Sequence, residues 1–251
     1  MRTALAFLIV ASLVPRSAHA GRSFYGWLYG TEVLPERGVE LQTWVLETNG
    51  KYGTTADTSS VWWGPLVGVT DQLELSLPVE LLWQGATDPQ GTGGAATAPA
   101  FTFKRFGLEA RYRLVPSDPV DAPALVPLIR AAVKRDVTDR DSVVVEGDAV
   151  VSYEIGAVHA LIDLGVFGDL KSSDRRWDVR PGAGVSVAVT SELRVGAEAY
   201  VELDTRSRSG SWAIVGPNLA WTHGRFWLSG AFGIGVYHMS TAPRLMWGIA
   251  F

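Results

Sequence analysis

The sequence predicts an all-β protein: one up-and-down antiparallel transmembrane β-barrel of about twelve strands. Three observations carry that expectation. Apolar residues recur at every second position in segment after segment of roughly ten residues, the dyad of a strand with one apolar and one wet face. Long and short connections alternate along the chain. Rows of charge such as Arg105, Glu109, Arg111 and Arg113 interleave the apolar rows. A soluble sandwich would have to bury such charges at several kcal/mol per unpaired ion, whereas a wet barrel lumen accepts them.

Taken in order, Met1 to Ala20 has the features of a secretory signal: Arg2, an apolar run from Ala4 to Val14, and Ala18-His19-Ala20 as a small-x-small cleavage site. Removing its two arginines takes the formal net charge from −4 to −6, which argues against a nucleic-acid partner. The chain has no cysteine, so disulfides and thiolate metal sites are excluded. Past the signal, no uncharged apolar run approaches the roughly 20 residues of a membrane helix. Hydrophobic residues nonetheless make up 47% of the chain, with ten Trp, and a closed barrel would turn many of them to lipid. Residues 21–37 lack periodicity and are expected as a periplasmic lead-in, tucked into the barrel mouth. Residues 38–251 form the expected barrel.

The first strand, Gly38–Glu47, sets Val39, Leu41, Thr43 and Val45 against Glu40, Gln42 and Trp44. Ser60–Thr70 follows, with Trp62, Trp63, Leu66 and Val67. Gln72–Trp83 is the cleanest, with Leu73, Leu75, Leu77, Val79, Leu81 and Trp83 opposite Gln72, Glu74, Ser76 and Glu80. Phe101–Val115, Ala124–Lys134, Val143–Ile155, Val158–Asp169, Trp177–Val189 and Glu192–Asp204 repeat the pattern. Ser211–Thr222 is weaker, and Arg225–Tyr237 and Pro243–Phe251 close the set. In the last segment Leu245, Trp247, Ile249 and Phe251 share one parity. They resemble the C-terminal signal read by the barrel-assembly machinery, an expected partner.

With Gly38 on the periplasmic side, the outer loops are Thr48–Ser59, Gly85–Ala100, Arg135–Ser142, Leu170–Arg176, Thr205–Gly210 and His238–Ala242. The inner turns are Asp71, Pro116–Pro123, Gly156–Ala157, Thr190–Ser191 and His223–Gly224. Long outer loops and short periplasmic turns are the habit of outer-membrane barrels. Pro78, Pro127, Pro181 and Pro217 remove ladder donors and require bulges or unbonded positions. Trp83, Trp177, Trp212 and Tyr237 fall near outer strand ends. Tyr112, Tyr153, Trp221, Phe226 and Trp247 fall near inner ends. Two aromatic girdles are thereby expected.

The wet parity supplies the candidate lumen lining: Glu74, Glu80, Arg105, Glu109, Arg111, Arg113, Arg130, Glu146, Asp148, Arg180, Arg194, Glu198 and Glu202. Opposed rows of this kind either lace a lumen shut or border a narrow polar path, and about twelve strands lies between filled and open sizes. Gly182/Gly184 and Gly233/Gly235 make room on one face, since no helix follows to complete a phosphate-binding turn. His159, His223 and His238 do not converge, so no histidine metal site is expected. His238-Met239-Ser240 resembles the His-x-Ser pair of outer-membrane lipid hydrolases, but no acid or Asn follows to orient the histidine. Two polar loop residues are the simpler reading, and no enzyme activity or cofactor is expected. Asp136, Asp139 and Asp141 lack a calcium-loop spacing. Lys171, Arg175, Arg176, Arg206 and Arg208 sit in two outer loops where lipopolysaccharide phosphates are possible partners.

Tyr29-Gly30-Thr31-Glu32-Val33-Leu34-Pro35-Glu36-Arg37-Gly38-Val39-Glu40-Leu41 resembles the opening of an outer-membrane protein family labelled with a phenol-degradation (meta-cleavage) pathway. Val67-Gly68-Val69-Thr70-Asp71-Gln72-Leu73-Glu74-Leu75 resembles its hairpins, while Arg37 is an insertion. The resemblance implies a barrel with a role in uptake of small apolar or aromatic compounds, and it assigns no binding residue. The expected function is therefore a bacterial outer-membrane channel or facilitator for a small solute. The alternatives are a closed barrel for structure or surface recognition, and a lipid hydrolase using Ser240 and His238.

Overall fold

A computed structural model of the chain describes residues 23–53, 57–84, 100–116 and 124–251. The expected signal segment and the long connection 85–99 lie outside the described residues. The wall is built from β1 (Val39–Asn49), β2 (Asp57–Gly68), β3 (Leu73–Ser76), β4 (Val79–Gln84), β5 (Ala100–Arg113) and β6 (Leu125–Asp136). It continues through β7 (Val143–Ile155), β8 (Val158–Leu170), β9 (Arg175–Ala188), β10 (Leu193–Asp204), β11 (Trp212–His223), β12 (Phe226–Tyr237) and β13 (Thr241–Ala250). β3 and β4 both lie between β2 and β5, so thirteen runs make twelve staves.

Each stave pairs antiparallel with its neighbours. β1 pairs with β13 from Glu40↔Ala250 to Asn49↔Thr241, and with β2 on its other side. The sheet therefore closes on itself and leaves no unpaired edge, the condition for a β-structure to sit in hydrocarbon. The up-and-down barrel expected from the dyad pattern is the observed fold.

Side-chain parity sets the two surfaces. Leu108, Val133, Ile162, Leu164 and Val189 are more than half exposed on the outside, in a belt continued by Leu41, Val185, Val215, Leu245 and Ile249. An apolar surface of this extent has no place in water. The wall is that of a transmembrane β-barrel, with the belt against lipid. Trp83, Trp177 and Tyr237 at one end, and Tyr112, Tyr153 and Trp221 at the other, are exposed around it. Trp212 departs from the expected girdle. It is buried inside, and its indole N–H donates to Glu202 at 2.9 Å. The inward row of β11 starts at Trp212 itself and continues through Ile214, Gly216, Asn218 and Ala220.

The turns follow from local chemistry. Val69-Thr70-Asp71-Gln72-Leu73 and Val189-Thr190-Ser191-Glu192-Leu193 form the same turn twice. In each, the threonine hydroxyl accepts the backbone N–H groups two and three residues on, at 3.2 and 3.0 Å. A hydroxyl that substitutes for a turn carbonyl in this way is the reason Thr suits the position. Gly156 and Gly224 adopt φ near +57° and +58° and open two-residue turns, where a Cβ would be strained.

The prolines mark the breaks. Pro78 separates β3 from β4, where Leu77 N–H reaches Pro65 O and Gly107 N–H reaches Pro78 O. The β9–β10 register skips from Tyr200↔Gly182 to Leu203↔Val179 around Pro181. The β11–β12 register skips from Val215↔Ile234 to Asn218↔Ala231 around Pro217. Pro127 sits past the last β5 pair, Arg113↔Leu128.

Candidate functional site: a plugged and charged lumen

Residues 23–37 run inside the barrel. Tyr25, Trp27, Leu28, Thr31 and Leu34 are all at least 95% buried. The segment enters near the tight-turn end, where Tyr25 Oη lies 3.0 Å from His159 Nδ1 and donates to the His159 carbonyl. It climbs to Trp27, whose indole donates to Ala242 O at 3.0 Å and packs edge-on to Trp212. It then descends to Leu34 and Pro35, against Gly68 at the tight-turn end.

An irregular segment carries backbone donors that no strand satisfies, and wall carboxylates take them. Glu198 accepts the N–H groups of Gly26, Trp27 and Leu28 at 2.8, 3.0 and 3.2 Å. Asp163 accepts Tyr29 N–H at 3.1 Å, and Glu74 accepts Leu34 N–H at 2.8 Å. Arg111 and Ser229 donate to the carbonyls of Gly30 and Tyr25. The glycines of β9 make room for the segment. A Cβ on Gly182 would meet Leu28 Cδ2 at 2.3 Å, and one on Gly184 would meet the Tyr25 ring at 2.4 Å.

That fit gives a first prediction. Gly184→Val overpacks the seat, and overpacking typically costs about 1–3 kcal/mol. The chain has no cysteine, so Leu28→Cys gives a single thiol. A membrane-impermeant maleimide should label it at least about tenfold faster in the Gly184→Val background, since about 1.4 kcal/mol is tenfold. Equal rates would mean that Tyr25 is not held against this wall.

The expected lumen residues all lie on the inward parity. Glu74, Glu80, Glu109, Arg130, Asp148, Glu198 and Glu202 are buried, and Arg105, Arg111, Arg113, Glu146, Arg180 and Arg194 are half-buried. Four of them form one cluster: Arg130 lies 2.6 Å from each of Glu109, Glu146 and Asp148, with the Tyr29 ring 3.9 Å over its guanidinium. Arg111 pairs with Glu74, Arg105 with Glu80, and Arg180 with Glu202. Arg194 reaches Glu154 and stacks on Phe24. Arg113 has no carboxylate within 4 Å among the described residues.

Glu32, Glu40, Lys51, Asp163, Asp178 and Arg244 are interior residues outside the expected lumen lining, although Glu40, Asp163, Asp178 and Arg244 stand on the wet parity of their strands. Trp44 and Trp62 also point inward and lie 5.5 Å apart, centroid to centroid.

Two cavities border the segment among the described residues. The one toward the long loops holds about 190 Å³, with Trp27, Trp62, Phe167, Tyr200 and Trp212 among its walls. The one toward the tight turns holds about 40 Å³ and carries Glu32, Glu40, Glu74 and Glu109. Tyr29, Trp44 and Arg244 border both.

The remaining sequence candidates have other partners. His238 is at φ +45° with its ring stacked on Tyr237, and no hydrogen bond joins it to Ser240 among the described residues. Ser240 N–H donates to Asn49 O. Asp136 binds Lys104 and the N–H groups of Thr138 and Asp139, and Asp141 binds Ser172. Lys171 lies 2.6 Å from Asp139 and holds that carboxyl below its ordinary range. Arg206 does the same for Asp174. Arg176 turns to Asp178, so three of the five basic loop residues have acidic partners within the chain. Leu245, Ile249 and Phe251 are exposed on the outer face, and Trp247 shares their parity.

No protein-family model matches the chain, and no curated protein matches it in sequence. Among solved structures it is similar to an outer membrane channel from Pseudomonas putida F1, with a TM-score of 0.58 at 12% identity over 88% of this chain and 98% of that one. The KdgM porin gives 0.54 at 8% identity over 84% and 99%. The translocator domain of the autotransporter NalP from Neisseria meningitidis gives 0.51 at 13% over 85% and 88%. At these identities the likeness is one of fold.

Proposed function

We propose that the protein is a narrow outer-membrane channel for small solutes, obstructed by its own residues 23–37. The observation that supports this best is the pair of cavities meeting at Tyr29, Trp44 and Arg244. A barrel built only as a scaffold has no reason to leave about 190 Å³ open beneath its long loops or to occupy its centre with a chain held by side chains. The similarity in fold to a channel and a porin agrees with it. The aromatic walls of the larger cavity suit a solute with an apolar or aromatic body, in line with the resemblance to the phenol-degradation outer-membrane family. We propose further that the outward aromatic C-terminal strand is the segment the assembly machinery engages. Of the basic loop residues, Arg175 and Arg208 are the ones best placed to meet lipopolysaccharide.

The dense interior pairing favours one competing reading, a closed barrel whose loops do the work. Planar-bilayer recording separates the two. The refolded protein, checked for heat-modifiable migration, should give discrete small conductance steps. Removal of residues 23–37 should enlarge them severalfold. Silence from both proteins, each shown to be folded, would reject the channel and leave the closed barrel.

A further inference from the structure

Arg244 is the odd member of the charges bordering the larger cavity. Of the six basic residues bordering the larger cavity, Lys51, Arg105, Arg130, Lys134 and Arg180 each lie within 4 Å of a carboxylate. Arg244 has no such partner among the described residues, although it is 91% buried. It projects from the inward face of β13, between the two cavities. Its guanidinium carbon lies 4.1 Å from the Trp44 centroid and 5.5 Å from that of Trp27. One terminal nitrogen donates weakly to Trp27 O at 3.4 Å, and Nε is buried with no acceptor.

A buried guanidinium without a counter-ion is costly, and ring stacking recovers only part of the lost hydration. Evolutionarily cheap remedies were close at hand, because the barrel pairs every neighbouring cation along this cavity. What remains is a planar fork of donors whose best complement is a carboxylate. The surroundings describe the rest of such a ligand. The indoles of Trp27 and Trp44 flank the guanidinium, and the cavity above it is larger than the roughly 150 Å³ that holds a benzene ring in an engineered protein core. Below it Glu74 and Glu109 are taken up by Arg111 and Arg130, while Glu32 and Glu40 have no Arg or Lys within 4 Å among the described residues and disfavour deeper travel of an anion.

We propose that Arg244, Trp44 and Trp27 form a binding site at the constriction for a small organic monocarboxylate. The carboxylate bonds to Arg244 and the apolar body lies in the cavity toward the long loops. The assignment deepens the channel reading by giving the solute a charge, but its test reads binding and not flux.

The test is calorimetric titration of the refolded, heat-modifiable protein in detergent with cyclohexanecarboxylate, and with its neutral counterpart cyclohexylmethanol. Saturable one-to-one binding of the carboxylate is expected, with the alcohol at least about tenfold weaker, the scale of a lost charge-assisted hydrogen bond. Arg244→Gln should bring the carboxylate down to the affinity of the alcohol. Arg244→Lys should retain part of the preference. Equal binding of acid and alcohol by the wild type would overturn the proposal even if no variant folds, and so would no binding of either. Carboxylate binding undiminished in a folded Arg244→Gln would overturn it too. A silent bilayer recording beside a positive titration would reject flux and leave the site standing.

Discussion

Glu198→Ala should turn a protein of small conductance steps into one that opens wide and often. The Glu198 carboxylate is the sole side chain in the described structure that takes three consecutive N–H groups of the lumen segment, at 2.8, 3.0 and 3.2 Å. A hydrogen bond to a charged acceptor is worth about 1.5–3 kcal/mol net. Water entering the vacated lumen would satisfy some of the released donors, so a net loss of about 3 kcal/mol for the three is a fair expectation. That loss shifts the equilibrium between seated and released segment by about a hundredfold, at about 1.4 kcal/mol per tenfold. The readout is open probability and conductance in planar bilayers. Glu198→Gln keeps one acceptor oxygen and should fall between the two. Because the Glu198 carboxylate holds the segment and joins no two strands of the wall to each other, heat-modifiable migration should be unchanged. An Ala variant with wild-type current would mean that residues 23–37 do not limit passage.

Why the wall was legible and its contents were not is a matter of periodicity. A strand shows its two faces at every second residue, so the wet row of Gln72–Trp83 or Glu192–Asp204 is visible in the sequence alone. The turn residues add independent punctuation, as in the paired Val-Thr-x-x-Leu turns. Residues 23–37 have no period, because their conformation is dictated by partners more than a hundred residues away, Glu198 and Asp163 among them. Their aromatics look like any exported lead-in. The complementary signal was the small-residue pair Gly182 and Gly184. It was read as free space on one face, and Leu28 and Tyr25 fill that space. Trp212 was misplaced because its segment is weak in alternation and its strand-end position fits a girdle equally well. Arg244 was visible as a wet-face residue, but its distinction is the lack of a partner. Only the pairing of the other five cations that border the larger cavity makes that apparent.

The second large effect concerns stability. Arg130 is 99% buried and lies 2.6 Å from Glu109, Glu146 and Asp148, contributed by β5 and β7 on either side of its own strand. Directly across from it stands Arg111, another cation, in register on β5. The two like charges are thus each held by a carboxylate, Arg111 by Glu74 and Arg130 by Glu109. Arg130→Met preserves much of the side-chain volume and removes the centre. Three carboxylates then face one another, and Lys134 at Glu146 is the one ion pair within 4 Å left to them among the described residues. Removing one partner of a buried ion cluster costs about 3–5 kcal/mol. We expect that loss in the midpoint of urea unfolding followed by heat-modifiable migration in lipid. Replacing the cation together with the carboxylates it leaves unpaired should be far milder, because the cost lies in the orphaned charges and not in the absent cation. The triple variant Arg130→Met, Glu109→Gln and Asp148→Asn, which keeps Glu146 to pair with the buried Lys134, should therefore recover most of the stability. If the single variant unfolds at the wild-type midpoint, the lumen is wet enough to solvate these carboxylates. The cluster would then border an open aqueous path and would not brace the wall.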